Sequence, residues 1–232
     1  MPVFQHLILN GRPNAGKTDF TDFIRGSSFA DRSERYHIGD FIELDDFEWL
    51  WEKFIEDDIW ESIGYRRLYS HRVPGGYVQN ESSALLEFLI AKFNHIIHKD
   101  YLSQPEIYND YTLFLEFARG RQDGGIRRCL EILSPEILST SAILHLYVSY
   151  AESRRKNEQR PHPLPEESLV RFSADLDWSE LSQGQPSGYI TVKDLRVPFV
   201  TVVNEPEDNS PAAMQARYSP ALQELMRLYQ AR

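Results

Sequence analysis

The apolar run Leu7-Ile8-Leu9 leads into Gly11-Arg12-Pro13-Asn14-Ala15-Gly16-Lys17-Thr18, and this stretch constrains the fold more than any other. Its spacing is Gly, four residues, Gly-Lys-Thr. Glycines let backbone N–H groups close around phosphate oxygens, Lys17 reaches the outer phosphates, and the Thr18 hydroxyl can ligate Mg²⁺. The flanks agree: residues 18–25 hold no breaker and place Phe20, Phe23 and Ile24 on one helical face. A strand, a tight turn and a helix N-terminus that favours an anion are expected, with residues Gly11 to Thr18 forming a nucleotide-binding loop.

The 232 residues and 41% hydrophobic content suit one substantial domain over 1–232. A net charge of −10 argues against a general nucleic-acid binder, because non-specific affinity for phosphate backbones needs basic surface. The single cysteine, Cys129, cannot form an internal disulfide and sits in an apolar patch, as a buried structural thiol would. With no apolar run of about twenty residues and no signal-peptide pattern, a cytoplasmic setting is expected.

Beyond the loop, Tyr36 to Asp40 reads as a second strand ending at Asp40. From Asp45 or Asp46 the period turns helical, with Phe47, Leu50, Trp51, Phe54, Ile55 and Ile59 on a single stripe. An acceptor-side insertion at about 64–80 mixes aromatics, turn residues and the arginines Arg66, Arg67 and Arg72, a composition suited to a ring of an acceptor. Another amphipathic helix follows from about Ser82. The apolar segments Tyr111–Phe117, Ala142–Val148 and Val197–Val203 supply the third, fourth and fifth strands, and a helix closes the chain after Pro211. A basic run at 154–160, followed by Pro161, Pro163 and Pro165, marks a lid-like segment at about 152–188. Alternating strands and helices predict an α/β three-layer sandwich on a five-stranded, mainly parallel sheet.

Ligands of open parallel sheets bind at the carboxyl ends of strands. Those ends offer the loop itself, Asp40, then Glu116 with Arg119 and Arg121, then Arg154, Arg155 and Arg160. The set matches the needs of phosphoryl transfer: phosphate positioning, Mg²⁺, neutralising cations and a carboxylate to accept a hydroxyl proton.

In these elements and their order the chain resembles the small kinases of the P-loop NTPase superfamily, a group that includes nucleoside monophosphate, deoxynucleoside, shikimate and gluconate kinases. Where deoxynucleoside kinases carry adjacent acid and arginine after the third strand, Phe117 and Ala118 separate Glu116 from Arg119. The resemblance implies an ATP- and Mg²⁺-dependent phosphotransferase acting on a small molecule such as a nucleoside or nucleotide. It implies catalytic roles for Lys17, Asp40, Arg119, Arg154 and Arg155, metal ligation by Thr18 and Glu116, and acceptor contacts from Arg66, Arg67 and Arg72. The guanine signature Asn-Lys-x-Asp is absent, since Glu205-Pro206-Glu207 follows Asn204, which favours ATP. The expected partners are a nucleoside triphosphate and a small acceptor, with no membrane and no extended nucleic-acid surface. The alternative is an NTP hydrolase or nucleotide-gated binding protein without an acceptor.

Overall fold

The computed structural model describes residues 2–80 and 83–232. In chain order the strands are β1 (His6–Gly11), β2 (Asp40–Asp45), β3 (Ser70–Val73), β4 (Gly76–Gln79), β5 (Tyr111–Phe117), β6 (Ser141–Tyr147), β7 (Ser187–Val192) and β8 (Leu195–Val203). The helices are α1 (Lys17–Gly26), the single turn α2 (Phe29–Asp31), α3 (Asp46–Ser62), α4 (Ser83–Ile96), α5 (Gly125–Ile132), α6 (Pro135–Ser139), α7 (Tyr150–Glu158), α8 (Glu166–Ser173), α9 (Trp178–Leu181) and α10 (Pro211–Gln230). The expected start of α4 at Ser82 lies outside the described residues.

The chain folds as a three-layer α/β sandwich. Its sheet has the order β2-β5-β1-β6-β8-β7, parallel except for β7, which pairs antiparallel with β8. β1 is buried at every position, as a central parallel strand must be when helices cover both faces. Leu7 and Leu9 point to one layer, where Phe20 and Ile24 of α1 meet Tyr218 and Leu222 of α10. Ile8 points to the other, with Phe93, Leu115, Cys129, Leu130 and Val197. Burial pushes the pKa of the Cys129 thiol up to about 12, as expected of a structural thiol rather than a nucleophile.

Three expectations are corrected. The sheet has six strands, because β7 lies at the end of the stretch whose irregular pattern reads as lid. The second strand begins at Asp40 instead of ending there: Arg32–Tyr36 winds in a helical turn and His37 adopts a left-handed φ of 57°, so the extended path starts later. Finally, the apolar residues of α3 do not share one face. Leu50 and Phe54 pack inward, whereas Phe47, Trp51, Ile55 and Ile59 face solvent. Steps of four residues advance by about 400° on a helix, so such a ridge drifts off the buried side.

Candidate active site

The loop after β1 is held by side chains from distant elements. Gly16 has a φ of 93°, and a Cβ there would run into Asn204 Nδ2. That amide donates to Ala15 O at 2.8 Å, while Asn204 Oδ1 accepts from Arg217 at 2.6 Å. Residue 16 must therefore be glycine for both conformational and spatial reasons. The N–H groups of the first turn of α1 have no intrahelical acceptors and open on the cleft beside the exposed Thr18. Lys17 Nζ folds back to donate to Gly11 O and Arg12 O at 3.3 and 3.2 Å, and lies 3.6 Å from Glu116 Oε1.

Register brings the acids together. Asp45 pairs with Glu116 across β2 and β5, and Leu9 of β1 pairs with Glu116 on the other side, so both carboxylates leave the sheet at the edge where the loop begins. Burial, followed by the nearby Glu116 charge, raises the Asp45 pKa from 3.8 to about 7. Burial also raises Glu116, against the pull of Lys17. Asp46 is buried and raised by desolvation, partly offset by Arg119. Arg119 donates to Asp46, to Leu86 O at 3.3 Å and to Ala118 O at 2.7 Å. It lines the cleft, with its guanidinium committed to protein acceptors.

Lys17, Thr18, Asp45, Asp46, Glu116 and Arg119 line one cleft of about 490 Å³. Phe47, Leu50, Phe117 and Phe172 add an apolar lining, and Asp19, Lys156, Arg160 and Glu207 border the same cleft. Asp40 is absent from this group. Parallel pairing puts it opposite Tyr111, at the far edge of the sheet, where it binds Arg32. Asp45 and Asp46 take the strand-end position expected of Asp40. In the sequence they read only as a helix start, although the preceding run Phe41-Ile42-Glu43-Leu44 carries the alternation of a strand.

The arginine run is also redistributed. Arg154 faces Glu158 and Glu166, and Arg155 holds Glu152, so both point away from the cleft. Arg160 instead donates to Asn14 of the loop at 3.0 Å, and Lys156 donates to Glu207 at 2.9 Å. The segment is fastened to the loop: Ser153 donates to Pro13 O at 2.7 Å, and Arg12 donates to Val148 O and to Ser173 O, each at 2.8 Å. Arg12 thus ties the residue after β6 and the end of α8 to the loop.

Arg66, Arg67 and Arg72 do not line the cleft. Arg66 is exposed, while Arg67 and Arg72 bind Asp58 and Glu61 and stand over the Tyr77 ring. They brace the β3–β4 hairpin. That hairpin is anchored by buried Asp57, which accepts from the backbone of Leu68, Tyr69 and Ser70 and from the Ser70 hydroxyl.

Mg²⁺ fits the donor set. No group of three or more acidic, histidine or cysteine side chains forms a complete metal site among the described residues. Mg²⁺ usually takes only one or two carboxylates, with water and substrate phosphates completing its shell. The exposed Thr18 hydroxyl and the Glu116 carboxylate beside Lys17 offer such a partial set of hard oxygens.

No protein-family description matches the chain, and no curated protein matches it. Among solved structures, a gluconokinase from Sinorhizobium meliloti 1021 matches at 13% identity, covering 100% of this chain and 99% of that one, with a TM-score of 0.49. A sugar kinase from Janibacter sp. HTCC2649 matches at 14% identity over 98% and 97%, TM-score 0.43. Shikimate kinase from Acinetobacter baumannii matches at 14% over 98% and 94%, TM-score 0.40. At TM-scores below 0.5 the architecture rests on the chain's own strand order, with its Gly11–Thr18 loop opening α1 from the central strand β1.

Proposed function

We propose that the chain is an ATP- and Mg²⁺-dependent kinase that phosphorylates a hydroxyl group of a small molecule. The observation that carries this reading is the meeting of the phosphate loop, the strand-end carboxyls of Asp45 and Glu116 and an apolar lining in one cleft, where burial raises the Asp45 pKa above its ordinary value. A general base works best when its pKa lies near the working pH. An apolar chamber beside it suits an organic acceptor better than water alone.

In this scheme the N–H groups of the loop and Lys17 hold the triphosphate, and Thr18 with Glu116 would hold the metal. The bound Mg²⁺ supplies charge neutralisation on the phosphate oxygens. The acceptor oxygen attacks the γ-phosphorus, the bond to the β–γ bridging oxygen breaks, and ADP leaves. Asp45 takes the hydroxyl proton. Arg119 positions Asp46 at the cleft floor, while Arg160 is the lid cation nearest the loop. In place of Arg154 and Arg155, it is assigned to neutralise charge on the transferred group.

The test is a panel of nucleosides, nucleotides, sugars and hydroxy acids incubated with ATP labelled at the γ-position, with Lys17→Ala as control. A labelled acceptor formed by the parent and lost in the variant supports the kinase. Acceptor-independent phosphate release that also depends on Lys17 would replace it with the hydrolase reading.

A further inference from the structure

We propose that the solvent face of α3 is the docking surface for a basic amphipathic helix of a partner protein. Phe47, Trp51, Ile55, Ile59 and Ile63 succeed one another at four-residue steps, with Trp60 beside the last, and each is 40–58% exposed. Isolated exposed apolar residues need no explanation, whereas a continuous ridge of them does. From Phe47 to Ile63 the ridge rises about 24 Å and winds by about 40° per step, so a partner helix would cross α3 obliquely along it. These six side chains expose roughly 600 Å², the upper end for the largest patch on a monomer and short of the roughly 800 Å² that each partner of a standard globular interface contributes. Its size therefore fits a single helix better than a second folded domain.

Charge selects among occupants. The neighbouring ridge, one residue on, is Glu48, Glu52 and Glu56. Glu56 pairs with Lys53, but Glu48 and Glu52 have no ion-pair partner among the described residues. Two copies of α3 packed antiparallel about a two-fold axis would set these carboxylates against their own counterparts. An anionic membrane surface would be repelled by the same ridge. A helix with apolar anchors flanked by Lys or Arg satisfies both ridges, by the helix-on-apolar-groove mode of recognition. Phe47 also lines the cleft, so the occupant would sit beside it.

Two labelled synthetic helical peptides test this. They share a leucine stripe and differ in carrying lysine or glutamate at every other position, and binding is read by fluorescence anisotropy. The lysine peptide is expected to bind the parent, and Trp51→Ser, Ile55→Ser and the pair Glu48→Lys with Glu52→Lys should each weaken it by about tenfold or more. Glu48, Glu52 and Ile55 are solvent-facing, so their variants should melt like the parent; Trp51 also packs edge-on against Phe54 and Tyr77, and Ile59→Ser gives the same reading if Trp51→Ser does not fold. Equal binding of both peptides, or binding unmoved by these substitutions, would overturn the proposal. So would a dimer that Ile55→Ser dissociates, or sedimentation with vesicles of phosphatidylcholine and phosphatidylserine.

Discussion

Replacing Asp45 by asparagine should make the protein more stable and less active at once, and the pH dependence of the first effect follows from the site. In the folded chain burial and the Glu116 charge raise the Asp45 pKa from 3.8 to about 7. The native state therefore binds this proton more tightly than the unfolded chain does. Stability from the group is fully present below the unfolded pKa and is lost as pH rises through the folded one. Between pH 5 and pH 7 the loss is about two pKa units, or about 3 kcal/mol, and above that it levels off. The Asp45→Asn substitution removes the slope while keeping the helix cap, because an amide oxygen can still accept from Phe47 N–H, which lies 2.8 Å from Asp45 Oδ1. At pH 8 the variant's urea midpoint should exceed the parent's by about 1 M, with the gap closing toward pH 5. Phosphoryl transfer should fall about a hundredfold or more, the usual worth of a general base. Parallel stability–pH curves for the two proteins, or a variant less stable at pH 8, would show that Asp45 ionises normally and would remove the case for it as the base.

Glu116→Gln should raise the Mg²⁺ concentration needed for half-maximal turnover with little change in melting temperature; a large loss of stability at unchanged metal dependence would assign Glu116 to its contact with Lys17 alone. Arg160→Ala should lower kcat by about tenfold or more at near-normal ATP affinity, while Arg154→Ala, whose parent side chain faces Glu166, should leave kcat unchanged. The reverse ranking, measured by steady-state kinetics, would return the role to Arg154. Asp57→Ala strands the buried donors of residues 68–70 and should cost about 3 kcal/mol or more in denaturant unfolding, well beyond the effect of Asp58→Ala on the more exposed side of the same helix.

The sequence was most legible where a single local rule decides. The loop from Gly11 to Thr18 and the unbroken apolar run of β5, ending in Glu116 and Phe117, are both specified by residues a few positions apart. Asp40 misled because Gly39-Asp40 follows an apolar-looking stretch, yet the start of β2 depends on Asp40 N–H reaching Asp110 O, seventy residues away. The lid arginines misled for a related reason. Helical spacing places Arg154 and Arg155 on the outer side of α7, but only the tertiary bond from Ser153 to Pro13 fixes which side is outer. Arg66, Arg67 and Arg72 had the composition of a binding loop. The actual partners of Arg67 and Arg72, Asp58 and Glu61, lie in the preceding helix, where they read as a plain acidic surface.

The segment over the cleft is tied down at both feet to the very loop it covers: Ser153 to Pro13 at one end, Ser173 to Arg12 at the other. It behaves as a strap between two buckles, its free length confined to residues 159–165 between α7 and α8, and cannot swing clear as a hinged flap would. Loop-closure entropy grows only slowly with length, by about 0.6 kcal/mol per doubling, so the strap can be let out or taken in at little cost to the rest of the fold. If the chain is the kinase proposed above, the strap's reach would gauge acceptor size, and insertions or deletions would reset it without touching the phosphate loop. A Gly-Ser pair inserted between Pro161 and Pro165 should shift selectivity toward bulkier acceptors while the melting temperature and ATP affinity stay near those of the parent.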